Sequence, residues 1–440
     1  MPQSSALEAP PLATRLSATT TLVLLCIAQL LAMSLWFAGT AVLPQLAQQW
    51  RAGLGTTAWL TLAVQLGFVL GALLSAVFNL ADVFSAPRLL VFSTIAAALF
   101  NLGFAAFAED SIAAAIAFRF LTGAALAGVY PVGMKILAGW FRKGRGLALG
   151  WMIGALSFGS ALPHGIGALG GVGEGSWHAV QPLVLTSSVL AMIGAIIMAA
   201  FIRNGPFAAP SPPFDMGQVG ELLAFRNRRL ALANFGYLGH MWELYSMWGW
   251  MAVILAQSAK LTAANRTATS PLAIRSVLTD SAALKGATFL AIAIGIVGCV
   301  WAGWVSDRVP ATGSQIAQRS RVTIIAMAVS ALCCLLTAVF FGNVYAVMAI
   351  SMVWGISVIA DSAQFSAVIS EVADPRYVGT ALTLQVALGF LLTAVSIRVT
   401  AALGEHYGWR IAVASLAIGP VMGIWAMLRL QKSQGDKRMA

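Results

Sequence analysis

Four ionisable residues sit deep inside apolar stretches, where a charge needs a partner, a cavity or a job. Glu243 and His240 are three apart in GHMWELYSMW. On a helix that spacing puts both side chains on one face, where an imidazole and a carboxylate can share a hydrogen bond or a proton. A carboxylate too short to reach an interface is a candidate for gaining and losing one proton per working cycle. The alternative is a fixed network of Glu243 with Trp242, Tyr245 and Trp248. Asp361, with Gln364 one turn on, is a second acidic candidate for a proton or a cation. Arg119 lies about 12 Å into its apolar run at 1.5 Å per residue, and its planar fork suits a carboxylate or other oxyanion. A carbonyl-bound or ion-paired structural arginine is the competing reading. Lys135 and Arg398 fall near the ends of their runs, where long side chains snorkel to the interface.

Uncharged polar residues extend this constellation. Gln29, Met33 and Trp36 share one helical stripe by their spacing of four and three. Gln65, Trp248 and Gln385 occupy comparable depths in other runs, and His164 follows Pro163, which loosens a helical turn and frees a carbonyl. Gln29, Trp36, Gln65, His164, Trp248, Gln385 and Arg119 are therefore the candidate solute-binding residues, with helix-packing hydrogen bonds as the alternative for each. A different pattern recurs at two helix junctions, Asp82 with Arg88 and Asp307 with Arg308, and Arg145 belongs to a basic stretch expected on the same side. An aspartate there can accept hydrogen bonds from an exposed helix N-terminus across a gap, and an arginine can pair with it. Both contacts exist only while that side is closed, which makes these five residues candidate gates.

The elements that hold these residues follow from composition. The 440-residue chain is 59% hydrophobic and only 9% charged, with a net charge of +11 and a mean hydropathy of +0.85, far from the roughly 25% charge of a soluble domain. A span of about 20 apolar residues crosses a bilayer as a helix. Twelve such spans are expected, near 18–43, 57–79, 88–108, 111–134, 146–169, 179–202, 230–258, 286–306, 321–341, 344–369, 378–401 and 408–429. The expected fold is an all-α polytopic membrane protein of twelve transmembrane helices in two pseudo-symmetric six-helix bundles. The division runs as an N-terminal tail over 1–17, a first bundle over 18–202, a Pro-rich linker over 203–229, a second bundle over 230–429 and a tail over 430–440. Arg142, Lys143, Arg145, Arg203, Arg226, Arg228, Arg229, Arg319, Arg321, Arg376 and the basic C-terminal end gather on one side, and few basic residues lie on the other. The positive-inside rule places both termini in the cytoplasm, and the short loops point to a bacterial inner membrane.

The same placement accounts for the positive charge by anionic lipid headgroups. Nucleic acid is not implied, since no basic cluster is interleaved with stacking aromatics. Cys26, Cys299, Cys333 and Cys334 all lie in apolar runs without metal-ligand spacing and read as small buried hydrophobes. No metal site, cofactor, catalytic HExxH or phosphate-binding GxxxxGK[ST] loop is expected. That argues against an enzyme or a nucleotide-driven pump, and the tail and linker are too small for a receptor domain. The partners expected are a small-molecule solute, protons and membrane lipids, acting on a monomer.

The sequence Gly303-Trp304-Val305-Ser306-Asp307-Arg308 after the eighth span, and Asn79-Leu80-Ala81-Asp82 with Arg88 after the second, resemble the loop signature of the major facilitator superfamily. The second copy is closer, because Phe78 stands in the Gly slot of the first and Val83 follows its Asp. Arg119 with Gly123, Tyr130-Pro131-Val132-Gly133-Met134-Lys135 and the basic run Arg142 to Arg145 are similar to superfamily members that take up organic or inorganic anions. The fifth span, with Gly150, Gly154, Gly159 and Pro163, lacks the Gly-Pro pair of drug/proton antiporters, since Leu162 precedes Pro163. The resemblance implies rocker-switch symport of protons with a small organic anion. Proton-coupled efflux of a lipophilic or cationic compound is the alternative.

Overall fold

The computed structural model describes residues 16–78, 80–170, 176–208, 227–265, 281–308, 314–373 and 378–435. Every regular element among them is helical. In order they are α1 (Ala18–Met33), α2 (Ala38–Ala41), α3 (Leu43–Gln49), α4 (Leu54–Val77), α5 (Leu80–Val83), α6 (Ala86–Phe107), α7 (Ile112–Leu126), α8 (Tyr130–Ala138), α9 (Arg145–Leu169) and α10 (Trp177–Phe201). After residues 209–226, which lie outside the described residues and hold most of the expected linker, come α11 (Arg228–Asn265), α12 (Ser281–Ala293), α13 (Gly295–Ser306) and α14 (Gln315–Val339). The chain finishes with α15 (Val344–Ala360), α16 (Ser362–Val372), α17 (Val378–Tyr407), α18 (Trp409–Leu416) and α19 (Ile418–Gly435).

Ten helices among the described residues are long and apolar enough to cross a membrane, which makes the chain an all-α polytopic membrane protein. Two expected spans differ from that standard for physical reasons. The first stops after 16 residues of α1. The seventh, α11, is 38 residues long but carries Asn234, His240, Glu243 and a run of Trp and Tyr that dilute its hydropathy. Outward-facing Phe92, Ile196, Val339 and Val421 are more than half exposed, as a surface bathed in hydrocarbon permits.

Several spans are broken, and the breaks fall where polar residues gather. Pro131 lies at the start of α8, so α7 cannot run straight into it. Asp361 separates α15 from α16, and Ile294 separates α12 from α13. The break after α1 has neither Gly nor Pro within it. Ser34, Leu35 and Trp36 instead tighten into three-residue turns, their N–H groups donating to the carbonyls of Leu31, Ala32 and Met33, and the Ser34 hydroxyl donates to the carbonyls of Leu31 and Ser187.

Close helix pairs depend on glycine. A side chain at Gly67 would run into the Phe120 carbonyl, and one at Gly123 into the Val64 carbonyl, so α4 and α7 lock backbone to backbone. The first and second halves of the chain meet along two seams. In one, α9 lies against α12 and α13, with Gly150 against the Cys299 carbonyl and Gly303 against that of Gly146. In the other, α4 lies against α17.

Candidate functional site

The chemistry concentrates between and just beside those seams. Glu243, on α11, is 2% exposed. Its Oε1 accepts hydrogen bonds from Ser330 Oγ at 2.6 Å and Cys334 Sγ at 3.0 Å, both on α14, and from Trp354 Nε1 at 2.6 Å on α15. Three donors from two helices thus converge on one carboxylate oxygen. This corrects two expectations. His240 does not turn to Glu243: its Nδ1 meets Asp361 Oδ1 at 2.9 Å, each side chain 1% exposed. The spacing of three aligned the two residues along α11, but the break at Asp361 puts a carboxylate directly across from the imidazole. Nor is Cys334 a mere apolar filler, because its thiol is one of the three donors. Ser330 and Cys334, one turn apart on α14, formed a polar stripe that sequence reasoning passed over.

Below this pair a further charged cluster appears. Arg319 donates from Nε to Glu371 Oε1 at 2.9 Å and from Nη1 to Gln364 Oε1 at 2.8 Å, while Gln364 Nε2 reaches the Ala302 carbonyl at 3.5 Å. Gln364 is therefore tied to Arg319, not to Asp361 one turn earlier.

Arg119 is fully buried, and both terminal nitrogens of its fork are occupied while Nε has no partner. Its Nη1 donates to the Leu35 carbonyl at 2.9 Å and to Asn101 Oδ1 at 3.2 Å, and its Nη2 donates to the Trp36 carbonyl. The three-residue turns after α1 leave those two carbonyls without helical partners, and the guanidinium takes both. Its carbon lies 5.6 Å from the Phe104 ring centroid. Gly39 makes room, since a Cβ there would approach Arg119 Nε to 2.9 Å. The carbonyl-bound alternative describes this arginine.

The uncharged candidates are different. Gln29, Gln65 and Gln385 are each 1% exposed or less, and both amide atoms of each lack a hydrogen-bond partner. The indole nitrogens of Trp36 and Trp248 and Nε2 of His164 are likewise buried without a partner. An aromatic lining runs among them: Trp36 lies 5.1 Å from Phe68, 5.7 Å from Tyr245 and 5.7 Å from Phe390, Phe68 lies 4.4 Å from Phe390, and Phe37 lies 6.0 Å from Trp248. Phe68 and Phe390 are not evident from the sequence, where isolated aromatics in apolar runs carry no periodic signal, and Tyr245, expected beside Glu243, joins this lining instead.

Each seam carries a polar tie near one of its ends. At one end Asp307, capping the last turn of α13, accepts from the N–H of Gly146 at 3.1 Å and of Leu147 at 2.9 Å. These are two of the unpaired donors that open helix α9. Arg308 does not pair with Asp307 but stacks 3.5 Å over Trp304, and Arg145 stands exposed at the start of α9, within electrostatic reach of Arg319. Arg88 is exposed in the first turn of α6, and the side chain of Asp82 lies outside the described residues. At the opposite end Arg398 Nη1 donates to the Gly55 carbonyl at 2.5 Å, joining α17 to the start of α4. Arg398 thus crosses the seam instead of merely snorkelling.

A multi-span helical chain, split by two seams around buried polar groups and tied by a polar contact across each, has the architecture of a membrane transporter. The chain belongs to the Major Facilitator Superfamily, whose family model matches residues 25–317, and this is a family of transporters, not of enzymes. Among curated proteins, none matches this sequence. Its fold is similar to the crystal structure of a mutant of the nucleoside transporter NupG, with a TM-score of 0.65 at 15% identity, covering 94% of this chain and all of that one. It is also similar to that of a D-xylose-proton symporter, with a TM-score of 0.68 at 13% identity, covering 94% of this chain and 97% of that one.

Proposed function

We propose that this protein is a proton-coupled secondary transporter of a small organic solute, working by alternating access between two six-helix bundles, 18–202 and 230–429. In this reading α1 and α11 also cross the bilayer, giving twelve spans, and the Asp307 end, with both termini, faces the cytoplasm of a bacterial inner membrane. The protein works as a monomer among membrane lipids. The observation that carries the coupling is the buried Glu243 carboxylate gripped by Ser330, Cys334 and Trp354. Each charge-assisted hydrogen bond contributes roughly 1.5–3 kcal/mol. Protonation of Glu243 weakens all three at once and loosens α14 and α15 from α11, so proton occupancy is converted into helix movement. His240, one turn away on α11, and Asp361, at the break between α15 and α16, form the second proton station. Asp307 and Arg398 close the two ends, with Asp82, Arg88, Arg145 and Arg308 on the cytoplasmic gate.

The expectation of an anionic solute drew on the Arg119 fork as well as on the resemblance of Tyr130 to Lys135 and Arg142 to Arg145 to anion importers, and the fork is held by the Leu35 and Trp36 carbonyls and Asn101. Efflux of a lipophilic compound draws support from the aromatic lining, but not from its unpartnered amides. The test of coupling is Glu243→Gln in proteoliposomes. Accumulation driven by a pH gradient should vanish while solute counterflow persists, and undiminished pH-driven accumulation removes Glu243 from the coupling.

A further inference from the structure

We propose that the transported solute is an uncharged ring compound bearing several hydroxyl or amide groups, recognised by Gln29, Gln65, Gln385, Trp36 and Trp248. The inference rests on the reading of this protein as a transporter with its solute between the two bundles.

The first ground is the inventory of buried polar atoms that lack partners. A buried amide without hydrogen bonds is costly, and native proteins leave few such groups. Here three glutamines carry them on three helices, and in each both the acceptor Oε1 and the donor Nε2 are unpartnered. Two indole N–H donors join them.

The second ground is where these side chains lie. Thr61, Gln65 and Phe68 form one stripe of α4 by spacing of four and three. Its outer members touch the other bundle: Thr61 is the nearest neighbour of a Cβ built at Gly249, at 3.7 Å, and Phe68 meets Phe390. Gln65 sits between them. Trp36 likewise meets Tyr245 and Phe390, and Gln29 lies two turns earlier on the same stripe, where its Oε1 would be 3.3 Å from a Cβ at Gly133. On α17, Gln385 is one turn from Gly389, which closes on Tyr237 and Met241 of α11. At 1.5 Å per residue the three amides lie roughly 10–18 Å from the cytoplasmic helix ends, the middle of a core about 30 Å thick.

The third ground is charge. The Arg119 fork is bound to carbonyls with only its Nε unpartnered, Glu243 Oε1 holds three donors, and His240 and Asp361 face each other. Each of these charged groups already has a partner of its own, and desolvating an unpaired carboxylate or ammonium is prohibitive. Amides offer a donor and an acceptor together, which suits a hydroxyl or a ring amide that is itself both. The aromatic wall of Trp36, Phe68, Tyr245 and Phe390 provides faces for a ring.

The test uses the full-length detergent-purified protein and probes that share a skeleton but differ in charge: D-glucose, D-gluconate and D-glucosamine, then uridine and uridine 5′-monophosphate. Equilibrium binding and ligand-induced thermal stabilisation should favour a neutral member at least tenfold over its charged counterpart. Gln65→Met should weaken that neutral probe by roughly tenfold, the loss of one hydrogen bond, while the ligand-free protein melts at the same temperature or higher, because an orphaned amide has been removed. Gln385→Met provides the same reading at an independent position. Charged probes binding as tightly as their neutral counterparts, no neutral probe binding at all, or Gln65→Met and Gln385→Met both lowering the ligand-free melting temperature each overturn the proposal. Neutral binding without pH-driven uptake in proteoliposomes would leave the solute class standing and refute the proton coupling.

Discussion

Asp307→Asn should loosen the tie between α13 and the start of α9, the proposed cytoplasmic gate, by an amount the geometry sets. The carboxylate accepts from two N–H groups at the start of α9, Gly146 at 3.1 Å and Leu147 at 2.9 Å. Asparagine keeps one acceptor, replaces the other with a donor that repels an N–H, and removes a negative charge from a helix N-terminus. In isolation a charge-assisted bond contributes about 1.5–3 kcal/mol and the helix-end charge about 0.3–1 kcal/mol. Asp307 is exposed, so solvent screening reduces the sum to about 1–2 kcal/mol. That corresponds to a shift of about 5- to 30-fold in the ratio of closed to open gate. Hydrogen exchange reads it directly: amides 146–148 should lose protection by that factor, while amides at the start of α4, under the Arg398 contact, should gain it as the opposite gate closes more of the time. Equal protection at 146–148 would refute the latch. A uniform rise in exchange at both ends would show general destabilisation instead.

The Arg119 clamp and the glycine notches make separate predictions about stability. Arg119→Lys keeps the charge but cannot span the Leu35 and Trp36 carbonyls together, so a loss of about 2–3 kcal/mol is expected, seen as a lower melting temperature, with affinity for a neutral solute changed less than about threefold. A large loss of affinity at unchanged stability would return Arg119 to the solute. Gly67→Ala drives a methyl into the Phe120 carbonyl and should lower the melting temperature by several degrees. Gly53→Ala, where a Cβ meets nothing within 4 Å, should leave it within about 0.5 kcal/mol of wild type.

Legibility in the sequence followed the range of the interaction. Hydrophobic length is local, so spans such as α6, α9 and α10 begin and end within a few residues of the expected positions. The depth of Glu243, Asp361 and Arg119 was equally plain, because a charge in an apolar run is conspicuous. Partners were not legible. His240 has Glu243 three residues away, yet meets Asp361, and the residues gripping Glu243 come from α14 and α15. Such pairings are set by which helices lie side by side, and spacing within one helix does not encode that. The break after α1 shows the limit most clearly: Ser34-Leu35-Trp36-Phe37 contains no helix breaker, and its carbonyls are taken by an arginine 83 and 84 positions on.

That break also sets the buried tie of the first half apart from that of the second. In the first half a helix is held to its neighbour by Arg119, a group that stays charged through any working cycle, gripping backbone that cannot titrate. In the second half the corresponding tie joins α11 to α14 and α15 through Glu243, whose grip depends on its proton. A tie that never releases keeps its bundle rigid and its carbonyls aligned beside Trp36. A tie that releases on protonation lets its bundle shift against that rigid partner, carrying Tyr245 and Trp248 away from Trp36 and Phe37 across the aromatic seam. On the proposed reading, proton binding and solute enclosure are coupled through α11, which bears Glu243 and, two to five residues on, the rings of Tyr245 and Trp248.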